Sequence, residues 1–398
     1  MNAQIEKLYD LAQKQERMII GLMSGTSLDG LDIALCKISG SGTNTRLELV
    51  AFETMDYEPQ FRTYVREVFS KRTIDLQTLS GVNAYVGIVH AKLINQALQQ
   101  WQIDASQVDV IASHGQTVYH APQSLTHDTR LPNSTLQIGD GDHIAVMTGI
   151  ITLSDFRQKH IAAGGEGAPL AAYGDFLLFT DKIENRILLN IGGISNFTFL
   201  PHTDSPYEAY ATDMGPGNTM MNQYMKEYFD EEMDRDAHVA RSGKADQKLL
   251  AELSKEPFLL LDFPKTTGPE LFNLQYLQHL QELSGTSALS HEDVMATLCH
   301  FSADTIVAAI LKQCKDLQNI AVYISGGGLH NPLLVELIKA GLPDYKITSF
   351  EELGLNPDAK EACLFALLAN ETLVGKPDHV NQIKDSPAVC MGKISLPA

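Results

Sequence analysis

The sequence predicts an α/β protein of two domains with a duplicated core and an interdomain cleft, and three observations predict it. Residues 18–38 hold two apolar runs, 18–23 and 31–38, joined by Ser24-Gly25-Thr26-Ser27-Leu28-Asp29-Gly30. Short apolar runs bounded by turn residues are the pattern of buried strands. Residues 187–200 repeat that plan around Gly192-Gly193, with Ser195 beside the turn. The C-terminal half is richer in helix: periodic segments at 293–315 and 358–374 flank a strand at 320–324 that ends in Ser325-Gly326-Gly327-Gly328. A chain of 398 residues accommodates two domains of ordinary size. The expected division is residues 1–160, carrying the first glycine turn and completed by the extreme C-terminus, and residues 161–398, carrying the second turn and the glycines at 326–328. A chance pairing of two glycine turns is the competing explanation of the repeat.

The remaining elements follow in order. Residues 1–18 are charged throughout and read as a short amphipathic helix leading into the first strand. A third strand is expected at 46–54, then helices at 60–70 and 84–101. A short strand at 108–112 runs into Ser113-His114-Gly115-Gln116-Thr117. A helix begins near Pro332, and Asp358 stands at the start of the last helix, as N-cap or in its first turn. The acidic run Asp230-Glu231-Glu232, with Asp234 and Asp236, reads as a solvated face.

Composition narrows the class. The formal net charge of −19 repels phosphate backbones and anionic lipid, so neither nucleic acid nor a membrane surface is an expected partner. No stretch approaches the roughly 20 apolar residues that span a bilayer, and the N-terminus lacks the apolar core of a signal peptide. Five scattered cysteines without CxxC spacing point to reduced thiols in a cytoplasm. The chain has no GxxxxGK[ST], no GxGxxG after a strand, no HExxH and no GxSxG. His114, His120 and His143 show no spacing that makes a metal site.

Polar, glycine-bearing segments recur at 24–30, 113–117, 192–196, 213–218 and 325–328. The first offers backbone N–H groups, hydroxyls and a carboxylate, an inventory suited to a nucleotide's phosphates. Gly and Ser equally favour turns that bind nothing. Asp213 lies beside a Gly-Pro-Gly turn leading into a helical pattern from Asn218. It suits a proton acceptor in phosphoryl transfer, or a helix N-terminal Asp that satisfies free N–H groups.

Nine segments carry a resemblance: MSGTSLDGLDI at 23–33, HGQTV at 114–118, LQIGDG at 136–141, DFRQKHIAAGGEGAPLA at 155–171 and NIGGISNF at 190–197 come first. DMGPGNT at 213–219, PKTTGPELFNL at 264–274, SGGGLHNPLLV at 325–335 and DAKEACLFALLANET at 358–372 complete the set. In this order, over nearly the whole chain, they resemble the anhydro-N-acetylmuramic acid kinase family of the actin-like, hexokinase-like ATPase superfamily. The resemblance implies a cytoplasmic, homodimeric enzyme. With ATP and Mg²⁺ it would open the 1,6-anhydro bond of the sugar hydrolytically and phosphorylate the 6-oxygen, giving N-acetylmuramic acid 6-phosphate in cell-wall recycling. It further implies that Gly25, Thr26, Ser27, Leu28, Asp29, Gly30, Leu31 and Asp32 form the ATP phosphate loop and Gly192 and Gly193 the second phosphate turn. Gly326, Gly327 and Gly328 would lie against adenosine. Asp213 would be the general base, with Arg157 and Glu361 near the sugar. The chain departs from the family pattern at Asn190, Glu166, Pro269 and the tail 379–387. The competing readings are a kinase for another 1,6-anhydrosugar, such as levoglucosan, and a non-enzymatic nucleotide-dependent switch.

Overall fold

The computed structural model describes residues 2–398 and divides the chain into two units. Unit 1 is Met1–Phe179 with Asp358–Ala398, and unit 2 is Thr180–Pro357. The expected first domain, residues 1–160 completed by the extreme C-terminus, thus extends to Phe179 and takes in the chain from Asp358. The helix Ala171–Phe179 packs on the helix Lys360–Val374, where Asp175 pairs with Lys360 at 2.7 Å, so both helices belong to unit 1.

Unit 1 is built on strands β1 (Glu16–Ser24), β2 (Gly30–Ser39), β3 (Arg46–Asp56), β4 (Val110–Ala121), β5 (Ser134–Ile138) and β6 (Ile151–Ser154). β1, β2 and β3 form an antiparallel meander, and β4 and then β6 extend the sheet parallel to β1. β5 pairs with β4, and the C-terminal strand Lys393–Ser395 closes the edge against β6. Unit 2 repeats the order with β7 (Asn185–Ile191), β8 (Ile194–Leu200), β9 (Tyr210–Pro216), β10 (Ile320–Ser325) and β11 (Lys346–Ser349). There β7, β8 and β9 are the meander, and β10 and β11 continue parallel to β7. The duplicated core is therefore a shared strand order.

Each sheet is covered on its faces, which is why its central strands read as near-continuous apolar runs. Ile20, Leu22, Ile33, Leu35 and Ile111 pack with Val86, Ile94 and Leu98 of the helix Leu76–Trp101. The helix Lys360–Val374 packs on β1, β2 and β4, where Cys36 lies 3.6 Å from Cys363 and the His114 ring sits 4.7 Å from Phe365. In unit 2, Leu189, Phe197 and Ile324 meet Leu298, Phe301 and Ile306 of the helix His291–Cys314.

Several expectations are corrected. Residues 113–117 are not a loop but the middle of β4, hydrogen-bonded on both sides, so Gln116 is in register with Ser24 and with Ile138. Asp213 to Pro216 likewise belongs to β9. The helix expected from 84 starts at Leu76, because Asp75 caps it through the Thr78 N–H at 2.7 Å, while Ser80 and Gly81 dilute its pattern. Asp358 lies one residue outside the last helix, whose N-cap position is Ala359. Asp234 is not solvated: it is buried and accepts the Val239 and Ala240 N–H groups, both at 2.9 Å. Finally, the helix His291–Cys314 is long and apolar enough to cross a membrane by length and composition, and 72% of its most apolar window is buried within the protein as a core helix. Four cysteines are buried and free, and Cys390 is partly exposed and free.

Candidate active site

In unit 1 the β1–β2 connection leaves Thr26, Ser27 and Asp29 exposed, while Leu28 and Leu31 insert into the core. Only the main chain of those two leucines can serve a ligand. Leu28 has φ of 60°, a left-handed conformation that costs an L-residue about 1–2 kcal/mol, and strain of this kind gathers at functional turns. The turn is pinned at three carbonyl contacts. Leu28 N–H donates to Gly25 O at 3.4 Å, and Asp29 O accepts from Tyr57 N at 3.1 Å and Arg62 Nη2 at 3.2 Å.

Asp32 lies on β2 and accepts the Thr54 hydroxyl at 2.6 Å. Burial pushes its pKa up, Thr54 opposes, and nearby Asp358 adds to the rise. Arg157 sits in the short helix Phe156–Ala162, its Nε donating to His114 Nε2 at 2.9 Å and its Nη1 to Gly167 O at 2.7 Å. His114 is therefore a neutral acceptor, and burial holds its pKa well down. Glu361, in the first turn of the last helix, opens to solvent, yet the protein packed around its carboxyl pushes its pKa up. Arg157 opposes that rise and Asp32 reinforces it. Asp32, Arg157 and Glu361, distant in sequence, thus form one electrostatic cluster. A cavity of about 590 Å³ between the start of helix Leu76–Trp101, the middle of β4 and the ends of β5 and β6 is lined by His114, the partner of Arg157, and by neither Arg157 nor Glu361.

In unit 2 the predicted residues also converge. Gly217 and Thr219 N–H donate to Gly193 O at 2.8 and 3.0 Å, and Asn218 N–H donates to Gly192 O at 2.9 Å. The second glycine turn therefore caps the helix Thr219–Phe229 through its carbonyls, supplying partners that a helix start otherwise lacks. Gly326 has φ of 84°, and a Cβ there would stand 2.5 Å from Asn190 Oδ1 and 2.8 Å from Ile191 O. Only glycine lets the 326–328 turn lie this closely against the end of β7.

Asp213, half-buried on β9, receives Thr267 N–H on Oδ2 at 2.9 Å, and its own N–H donates to Lys265 O at 2.9 Å. Burial raises its pKa against the pull of Thr267. The Lys265 ammonium donates to Phe258 O and Leu259 O at 2.8 and 3.0 Å, and burial lowers its pKa to about 8. Lys265 and Thr267 carry no ligand signal of their own in the sequence. Only their place in the 264–274 segment marked them. Ser24 and Gln116 lie in the segments singled out at 24–30 and 113–117, whereas Tyr57 and His90, which bond into the same chain of side chains, carry no signal in the sequence.

Two sheets of one strand order, each with a glycine turn after its first strand, define a duplicated α/β fold of the kind expected from the sequence. A sequence model of the family described as anhydro-N-acetylmuramic acid kinase matches residues 17–395. Relatives carrying that name include a Pseudoalteromonas atlantica protein, 53% identical over the full length of both chains, and a Pseudoalteromonas translucida protein, 50% identical over the same extent. A third, from Caldanaerobacter subterraneus, is 37% identical over 98% of this chain and 100% of its own. The chain belongs to the anhydro-N-acetylmuramic acid kinase family.

Proposed function

We propose that the protein is an ATP-dependent kinase that opens 1,6-anhydro-N-acetylmuramic acid by hydrolysis and phosphorylates its 6-oxygen. The observation that carries this reading is Asp213, a half-buried carboxylate of raised pKa, oriented by one main-chain N–H. A switch needs no such group, whereas a hydrolysing kinase needs a base that stays basic near neutrality. The Asp213 carboxylate takes a proton from water, and the water oxygen attacks the anomeric carbon. The bond from that carbon to the 6-oxygen breaks, and the 6-oxygen carries its electron pair to the γ-phosphorus of ATP, releasing ADP. A positioned base contributes roughly 10²- to 10⁴-fold.

The turn at 25–32 is assigned to ATP's phosphates, supported by its exposed hydroxyls and left-handed Leu28. Gly192 and Gly193 take the second phosphate contact and 326–328 the adenosine end. Arg157 and Glu361 are assigned to the sugar. Mg²⁺ would arrive with the nucleotide, since that ion commonly uses one or two carboxylates plus phosphates. Asp32 is the carboxylate that would hold it, and the ion would neutralise phosphoryl charge. The reading includes a cytoplasmic homodimer.

The test is ADP release by purified protein with anhydro-N-acetylmuramic acid, levoglucosan or no sugar. Release dependent on the first sugar is the expected result. Equal release with levoglucosan would reassign the substrate, and nucleotide binding without sugar-dependent release would favour the switch.

A further inference from the structure

Beneath the 25–32 turn runs a chain of buried polar groups that the proposed chemistry does not use. Ser24, Tyr57, His90 and Gln116 are each at most 3% exposed, and Tyr57 stacks on Phe61 with ring centroids 3.9 Å apart. The Ser24 hydroxyl donates to Gln116 Oε1 at 2.5 Å, the Tyr57 hydroxyl donates to Ser24 Oγ at 2.7 Å, and His90 Nε2 lies 2.9 Å from the Tyr57 oxygen. Because each hydroxyl has one proton, the direction is set: His90 Nε2–H donates to Tyr57, Tyr57 to Ser24, Ser24 to Gln116. His90 Nδ1 is then a bare lone pair without a partner. Burial keeps the ring neutral, its pKa held to about 3.

The far end of the chain reaches the turn. Gln116 Nε2 donates to Gly25 O at 3.2 Å and to Thr117 O at 3.3 Å. Gly25 O is also the acceptor for Leu28 N–H, the contact that closes the strained turn. The four residues come from β1, the β3–α connection, the helix Leu76–Trp101 and β4, so four separate parts of unit 1 are linked to one carbonyl. Apolar residues of similar volume would fill this space without hydrogen bonds to satisfy, whereas a buried polar group left unpaired costs about 1–3 kcal/mol. A hydrogen-bonded chain continuous from His90 to Gly25 O restricts the geometry of the groups it joins.

We propose that Gln116, Ser24, Tyr57 and His90 are positioning residues that hold the 25–32 turn in its nucleotide-binding conformation, a role that rests on the kinase reading above. Loss of a link loosens the turn and weakens nucleotide binding, and leaves sugar binding in place. The experiment compares wild type with Gln116→Met, Gln116→Glu and Tyr57→Phe, using calorimetric titration with MgADP and the separate KM values for ATP and sugar. Tyr173→Phe is the control, because it deletes an equally buried hydroxyl of the same unit, bonded to Pro387 O at 2.7 Å.

The network variants are expected to bind MgADP about 5- to 10-fold more weakly, the equivalent of one hydrogen bond, with a matching rise in KM for ATP and sugar KM within about 2-fold. Tyr173→Phe lowers the melting temperature and leaves ADP affinity unchanged. Gln116→Glu keeps the side-chain size and the acceptor for Ser24 and replaces the amide donor to Gly25 O and Thr117 O, and the melting temperature of each variant separates loss of fold from loss of binding. Folded variants that bind MgADP within 2-fold of wild type overturn the proposal, as does equal weakening by Tyr173→Phe. Wild type that binds MgADP but releases none from ATP with sugar overturns the kinase reading while the ADP comparison still decides this one. Wild type that does not bind MgADP overturns both.

Discussion

Asp213 has its reactivity and its cost in the same place. Its folded pKa is raised by burial, so the folded state binds a proton more readily than the unfolded chain. Stability from this group is therefore present at acidic pH and is lost as pH rises through the folded pKa. Asp213→Asn is expected to lower turnover by roughly 10²- to 10⁴-fold and to leave nucleotide affinity largely unchanged. At neutral pH the same variant should melt higher than wild type, checked by paired calorimetry and ADP-release assays. Turnover within a few-fold of wild type would mean that another group is the base. For wild type, the rate should fall as pH is lowered through that same raised pKa, an acidic limb that the Asn variant lacks. Arg157→Ala should weaken sugar binding more than ATP binding, and equal losses in two titrations would contradict its assignment. Asp213, Arg157 and Glu361 each stand in a distinctive short segment, which is what singled them out in the sequence. The chain from His90 to Gln116 was not legible there, since its links join residues 33 and 92 positions apart, and nothing in a Tyr or a His announces a partner that distant.

Helix and strand fit is tightest where β1 passes under the helix Lys360–Val374. A Cβ at Gly21 would stand 1.9 Å from Ala362 O and 2.9 Å from Ala366 N. Gly21→Ala must therefore displace that helix, and overpacking of this kind costs about 1–3 kcal/mol. The expected result is a clear fall in the denaturant midpoint, and an unchanged midpoint would show that the helix yields freely. Because Glu361 rides on the first turn of the helix, sugar affinity should fall in the same variant. Asp234→Ala offers the parallel case in unit 2: it leaves the Val239 and Ala240 N–H groups without their acceptor, a loss of about 1 kcal/mol, readable by the same titration. The glycine in an otherwise apolar run was visible in the sequence, but the helix that demands it lies over 340 residues away. β4 was cut short for a related reason. Ser113 to Thr117 is polar, and its strand character comes from neighbours on both sides rather than from its own residues.

The duplicated strand order was legible in outline because two apolar hairpins with glycine turns sit at corresponding places in the chain. The unit bounds were less so. Unit 1 is assembled from both ends of the sequence, and the helix Ala171–Phe179 reveals its allegiance only through Asp175 and Lys360, a pair with Asp175 2% exposed. Asp175→Ala would remove the 2.7 Å ion pair with Lys360, and a loss of about 1–3 kcal/mol is expected, to be read by thermal melting.

The split unit also has a temporal consequence. On a ribosome adding about 5–20 residues per second, residues 1–179 emerge well before 358–398, with all of unit 2 between them, an interval of roughly 10–45 s. During that time the β1–β2 face that later receives Cys363 has no cover, whereas unit 2 has its whole sequence in hand. The first part of the protein to be synthesised is thus the last able to finish folding, and a released chain ending at 357 should leave Cys36 open to a thiol reagent while Cys299 and Cys314 are protected.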